Sequence, residues 1–225
     1  MLLTGAALAF TLLAVPVLGG PATLSPRAQI ACSLKVTGVL QLRMPDNPNI
    51  SATGASFVGP QYTVNGVESQ LLKIFAPNNA DFEFHMCNST FMGYTQRPSE
   101  FGTTFLYGQL KDKVSGLCVT GTHLGDFVTT SFSAQPCSVR DNTSQLRQFF
   151  RFLAAPPQGG STTPDQNPQL MFLGVPQSDN ESGADRYSFS FSSNNNAPGD
   201  SFPKVVAKNP RKENSFLGFF APQYL

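Results

Sequence analysis

Punctuation by glycine and proline, 19 and 18 of them in 225 residues, leaves few windows in this chain able to hold a long helix. Short strands joined by turns are what such a chain can build. Period-two alternation marks two of them, Phe82-Glu83-Phe84-His85-Met86 and Tyr187-Ser188-Phe189-Ser190-Phe191, each expected to bury one face. Residues 142–155 admit two readings. Leu146, Phe149, Phe150 and Leu153 fall at i, i+3, i+4 and i+7 behind an Asn or Thr cap, as in a helix. Phe149-Phe150-Arg151-Phe152-Leu153 reads equally as a buried strand after one tight turn, and pattern alone leaves both open.

A Phe-x-Phe pair recurs at Phe82/Phe84, Phe150/Phe152 and Phe189/Phe191. A second element recurs beside it at Phe91-Met92-Gly93-Tyr94, Phe172-Leu173-Gly174-Val175 and Phe216-Leu217-Gly218-Phe219. The alternation suggests three related β-units whose strands close onto one core. The polar stretches 156–168 and 192–203 read as surface loops, because strand-like sequence resumes after each. Residues 204–212 are mildly basic, which a solvated strand and turn account for.

The compartment is readable too. Residues 1–20 carry no charged side chain, run apolar from Leu2 through Leu18 and end on Gly19 and Gly20, which predicts a secretory signal peptide even without a basic residue at its start. The run is interrupted by Pro16 and is short for a bilayer span, which needs roughly 20 apolar residues, so no membrane span is expected after signal cleavage. Residues 21–31 are then a linker and 32–225 a single domain. Cys32, Cys87, Cys118 and Cys137 form an even set suited to disulfides in an oxidising compartment. Of the three connectivities, Cys32–Cys87 with Cys118–Cys137 is expected, since each bridge then closes a loop within one segment. A zinc site would need paired C-x-x-C spacing, which His85 and His123 do not replace, so no metal is expected. Sequons at Asn49, Asn88, Asn142 and Asn180 fit the same extracellular or cell-wall location, and an occupied one must lie at the surface.

Fifteen basic residues against fourteen acidic give a net charge of +1 with no basic stripe, which removes the electrostatic case for nucleic acid. The most informative segment is 107–152. It runs Tyr107-Gly108-Gln109-Leu110, Gly116-Leu117-Cys118-Val119-Thr120, Gln135-Pro136-Cys137 and Ser144-Gln145-Leu146-Arg147-Gln148-Phe149-Phe150. This segment, about a fifth of the chain, resembles one repeat of the ricin-B-type β-trefoil lectins, and the whole resembles secreted fungal proteins with a divergent trefoil. In that family a Gly-x-Cys-Leu strand, a second cysteine about twenty residues on and a closing Gln-x-Trp recur; Gln148-Phe149-Phe150 stands in for the last. The resemblance implies an all-β, β-trefoil-like domain of three pseudo-repeats, with short strands, long polar loops and a sugar pocket. The family's aspartate near the first cysteine is absent, since Val119 and Thr120 follow Cys118, and Arg147 precedes Gln148. A standard galactose pocket is therefore not expected in this repeat. Asp126 is the candidate acceptor, Tyr107 the candidate stacking platform and Gln148 the third candidate ligand-binding residue.

No G-x-S-x-G elbow, H-E-x-x-H pair, P-loop or Rossmann glycine pattern occurs. His85 lies on an alternating strand and His123 in a glycine-rich turn, neither beside a nucleophile motif. The expectation is a secreted carbohydrate-binding module, without catalysis or cofactor, whose partner is a glycan or cell-wall polysaccharide. One alternative is a cell-surface structural or interaction protein with decayed sugar pockets. The other is a cryptic glycoside hydrolase, since paired carboxylates meet only on folding.

Overall fold

The computed structural model describes residues 28–43, 53–64, 66–74, 80–95, 97–98, 104–125, 128–154, 168–180, 187–192, 202–208 and 216–224. The expected signal peptide, Asn49 and Asp126 lie outside them. The architecture is all-β. In chain order the strands are β1 (Ala31–Arg43), β2 (Thr53–Phe57), β3 (Tyr62–Val64), β4 (Val67–Ser69), β5 (Leu72–Ile74), β6 (Asp81–Asn88), β7 (Arg97–Pro98) and β8 (Thr104–Asp112). There follow β9 (Cys118–Gly121), β10 (Thr129–Gln135), β11 (Phe150–Ala154), β12 (Gln169–Phe172), β13 (Ser188–Ser192), β14 (Lys204–Lys208) and β15 (Phe216–Tyr224). No helix among the described residues is long and apolar enough to cross a membrane.

Antiparallel pairing closes six of these strands into a ring: β1 with β6, β6 with β8, β8 with β11, β11 with β12, β12 with β15, and β15 back to β1. Three further pairs, β2 with β5, β9 with β10 and β13 with β14, each lie in sequence between two neighbouring ring strands. Strand, two-stranded pair, strand is thus repeated three times along the chain. Pairing of β14 with both β10 and β5 links the three pairs to one another.

Period-two alternation turns one face of every ring strand inward. The core takes Val36, Leu40 and Leu42 from β1, Phe82 and Phe84 from β6, and Leu106 and Leu110 from β8. It takes Phe150 and Phe152 from β11, Leu170 and Phe172 from β12, and Leu217 and Phe219 from β15. Ala55, Leu72, Ile74, Val119, Phe132, Phe189, Val205 and Ala207 from the three pairs join the same cluster. With no tryptophan in the chain, phenylalanine supplies the bulk. Each such fully buried side chain stabilises by about 1.5–3 kcal/mol, and edge contacts such as Phe132 against Phe172, 5.2 Å between centroids at 87°, add to that.

The recurring Phe-x-Phe motif follows the structural repeat only in part. Phe82/Phe84 and Phe150/Phe152 occupy corresponding ring strands, but Phe189/Phe191 lies on β13, and the third corresponding ring strand is β15. The cause is chemical degeneracy: any half-buried strand in a phenylalanine-rich chain satisfies the motif. Residues 142–154 form a short 3-10 turn, Thr143–Arg147, and then β11, so the turn-and-strand alternative is the one realised.

Both disulfides form as expected, Cys32–Cys87 across the β1–β6 ladder and Cys118–Cys137 from β9 to the segment after β10. A satellite apolar cluster of Cys87, Met92, Phe149 and Leu173, with Ile30, Phe91, Tyr94, Tyr107 and Leu146 against it, packs separately from the main core.

Candidate functional site

Three glutamines organise the region around the second disulfide. Gln109 on β8, Gln145 in the 3-10 turn and Gln148 after it are 2%, 0% and 4% exposed. A buried amide is costly unless its groups are paired, and these are. Gln109 Nε2 donates to Ser138 O at 2.8 Å and to Gln145 Oε1 at 3.1 Å. Gln145 Nε2 donates to Ser138 O at 2.9 Å and Arg140 O at 2.8 Å. Gln148 Nε2 donates to Thr120 Oγ1 at 2.8 Å and Pro136 O at 2.9 Å, while its Oε1 accepts from Ser138 N at 2.7 Å. The irregular backbone from 136 to 140 is thereby satisfied by side chains at Pro136 O, Ser138 N and O and Arg140 O, while Val139 O accepts from Ile30 N of the segment before β1.

On the outer side of this network lies a cleft of about 590 Å³. Thr120, Gln135 and Gln148 form its buried wall, Leu124, Pro136 and Leu146 its apolar lining, and Ser138, Asn142, Thr143, Ser144 and Arg147 its polar lining. Asn142 caps the 3-10 turn: its Oδ1 accepts from Ser144 N at 3.0 Å and Ser144 Oγ at 2.6 Å. Ser144 Oγ also meets Ser138 Oγ. The far side of the same loop is tied down by Asp141, whose carboxylate accepts from Ser89 Oγ at 2.5 Å, Thr90 N at 2.9 Å and Phe91 N at 3.1 Å. Burial alone would raise the Asp141 carboxyl, but these hydrogen bonds, led by that from Ser89, outweigh it and hold the group below its ordinary value.

The residues expected to bind ligand are not gathered at this cleft. Gln148 contributes wall, but its amide is engaged internally through both Nε2 and Oε1. Tyr107 sits in the satellite cluster, its ring stacked on Tyr94 at 4.9 Å and 16°, and it does not line the cleft. On β8 the alternation that sends Leu106 inward sends Tyr107 to the outer face, where the turn after β6 covers it. The 142–147 segment reads from sequence as a helix start or turn, a sequon and part of the trefoil resemblance, and a ligand-facing role for Arg147 is not among those readings.

Of the described sequons, Asn88 is exposed, Asn142 half-buried and Asn180 8% exposed, with Asn180 Nδ2 donating to Tyr94 Oη at 3.5 Å. His85 pairs with Glu83 on the same strand at 2.9 Å, and His123 is exposed beside Thr122. A second cleft, about 470 Å³, is lined by Phe57, Glu68, Gln70 and Asp112 among others. There Asp112 Oδ2 accepts from Ser115 N at 2.9 Å and Ser115 Oγ at 2.5 Å, closing the turn between β8 and β9. No family model and no curated protein matches this chain.

Proposed function

We propose that this chain is a secreted β-trefoil module that binds glycans, cell-wall polysaccharide among them, without catalysis, through the cleft beside the 142–147 turn. The trefoil reading is supported by the pairing pattern: a six-stranded closed ring, three two-stranded pairs and one repeated strand order. Secretion is supported by two disulfides, four sequons and the uncharged apolar stretch at residues 2–18. The observation that carries glycan binding is a cleft lined by hydroxyl, amide and guanidinium groups together with apolar Leu124 and Leu146. Fixed polar groups beside apolar patches suit a ligand that has hydroxyls on its edge and C–H faces.

The test is a glycan and polysaccharide array probed with protein made unglycosylated in an oxidising bacterial compartment, because enzymatic removal of a glycan would convert Asn142 to aspartate. Binding to at least one saccharide class, lost in a Thr143→Met variant that obstructs the cleft with an uncharged side chain, is expected. Silence across galactose, N-acetylglucosamine, mannose, glucan and uronan ligands would remove the reading. A second reading, an interaction protein with a decayed pocket, is favoured by the absence of any aromatic ring from the described residues that line the cleft. It expects that silence together with a protein partner blocked by the same variant.

A further inference from the structure

Resting on the glycan-binding reading, the geometry points to a specific ligand class: saccharides that carry a carboxylate, as uronates do, held by Arg147. The cleft carries a cation and, among the described residues, no anion. Arg147 lines it half-buried, and among the described residues no carboxylate pairs with it or lines the same cleft. Asp141, the one carboxylate in residues 138–148, is committed to Ser89, Thr90 and Phe91. Asn142 adds to the imbalance. Its Oδ1 is consumed by Ser144 N and Oγ, which leaves its two amide N–H groups as its contribution to the cleft.

A partly desolvated guanidinium with no carboxylate partner among the described residues favours an anion, and its planar fork matches a carboxylate with two parallel hydrogen bonds. Neutral hexoses would leave that cation unpaired and would find, among the described residues lining the cleft, no aromatic ring for their C–H face. The charge of the ligand, more than its ring stereochemistry, is then what the site reads.

The test compares oligogalacturonate with its methyl ester, which keeps the ring and removes the charge, by calorimetric titration of the unglycosylated protein. The free acid is expected to bind about tenfold or more tightly, the worth of one charge-assisted hydrogen bond, with affinity falling as salt rises. Arg147→Gln is expected to abolish that preference, and Arg147→Lys to keep part of it; retained disulfides and an unchanged unfolding midpoint certify the fold of each. Equal binding of acid and ester, or a preference that survives in Arg147→Gln, overturns the inference while leaving the glycan reading intact. Failure of acid, ester and every neutral saccharide to bind removes both together.

Discussion

Gln148 Nε2 reaches across 28 residues of chain to donate to Thr120 Oγ1 at 2.8 Å, joining the segment that precedes β11 to strand β9. Both groups are buried, so the contact belongs to the scaffold of the cleft and not to its open face. Replacing Gln148 by Ala strands Ser138 N–H and Pro136 O as well. The expected loss is about 2–4 kcal/mol, from desolvated groups left unpaired, read as a lower urea midpoint. A midpoint equal to wild type would show that water replaces the amide at no cost.

Gly108 makes a different kind of contact. A Cβ there would overlap the His85 carbonyl oxygen and stand 2.9 Å from Cys87 N, where β8 crosses closest to β6. Gly108→Ala is expected to cost about 3 kcal/mol, the upper end for overpacking, visible as a depressed thermal midpoint and reduced yield of oxidised protein.

Acid should act through Asp141. Its folded carboxyl titrates below the ordinary value of 3.8, so its contribution is present in full above the unfolded pKa and disappears as pH falls through the folded one. Wild type is expected to be more stable than Asp141→Asn at neutral pH, with the gap closing as the solution is acidified past the ordinary carboxylate value and through the lowered folded one. Paired urea titrations at both conditions check the sign; a gap that widens in acid would contradict it.

Much of this molecule was legible from residue order. Alternation in Phe82-Glu83-Phe84 and the Gly/Pro punctuation announced strands, because burial of one face is a local property. The cysteine pairing was legible because each bridge closes a loop within one segment and the two do not interlock. The outer-face role of Tyr107 and the burial of Gln109 were not, since both depend on segments far along the chain folding over β8: the turn after β6 in one case, residues 138–148 in the other. Gln148 stood out in the sequence as a ligand-binding candidate, and its internal hydrogen bonds were not legible there, because a buried amide and a ligand-facing amide look the same in sequence. Phe189 and Phe191 misled for a related reason, as no local pattern separates a ring strand from its neighbouring pair.

The sequons divide by burial. Asn88 is exposed, whereas the Asn180 amide lies buried against the Tyr94 hydroxyl, and a glycan there would have to displace that packing. Peptide mapping of protein secreted from a eukaryotic host is expected to find Asn88 modified and Asn180 bare. Modified Asn180 in natively folded material would contradict the packing around Tyr94.

The ladder between β1 and β15, with Leu40 opposite Phe219 and Leu42 opposite Leu217, has a consequence for biosynthesis. Its two strands are separated by most of the chain, so the ribosome makes one long before the other exists. Until the last strand emerges, β1 and β12 each present an open edge to whatever lies nearby. Completion must therefore be a late and comparatively slow event, and the interval before it is when this protein is most exposed to pairing with the wrong chain.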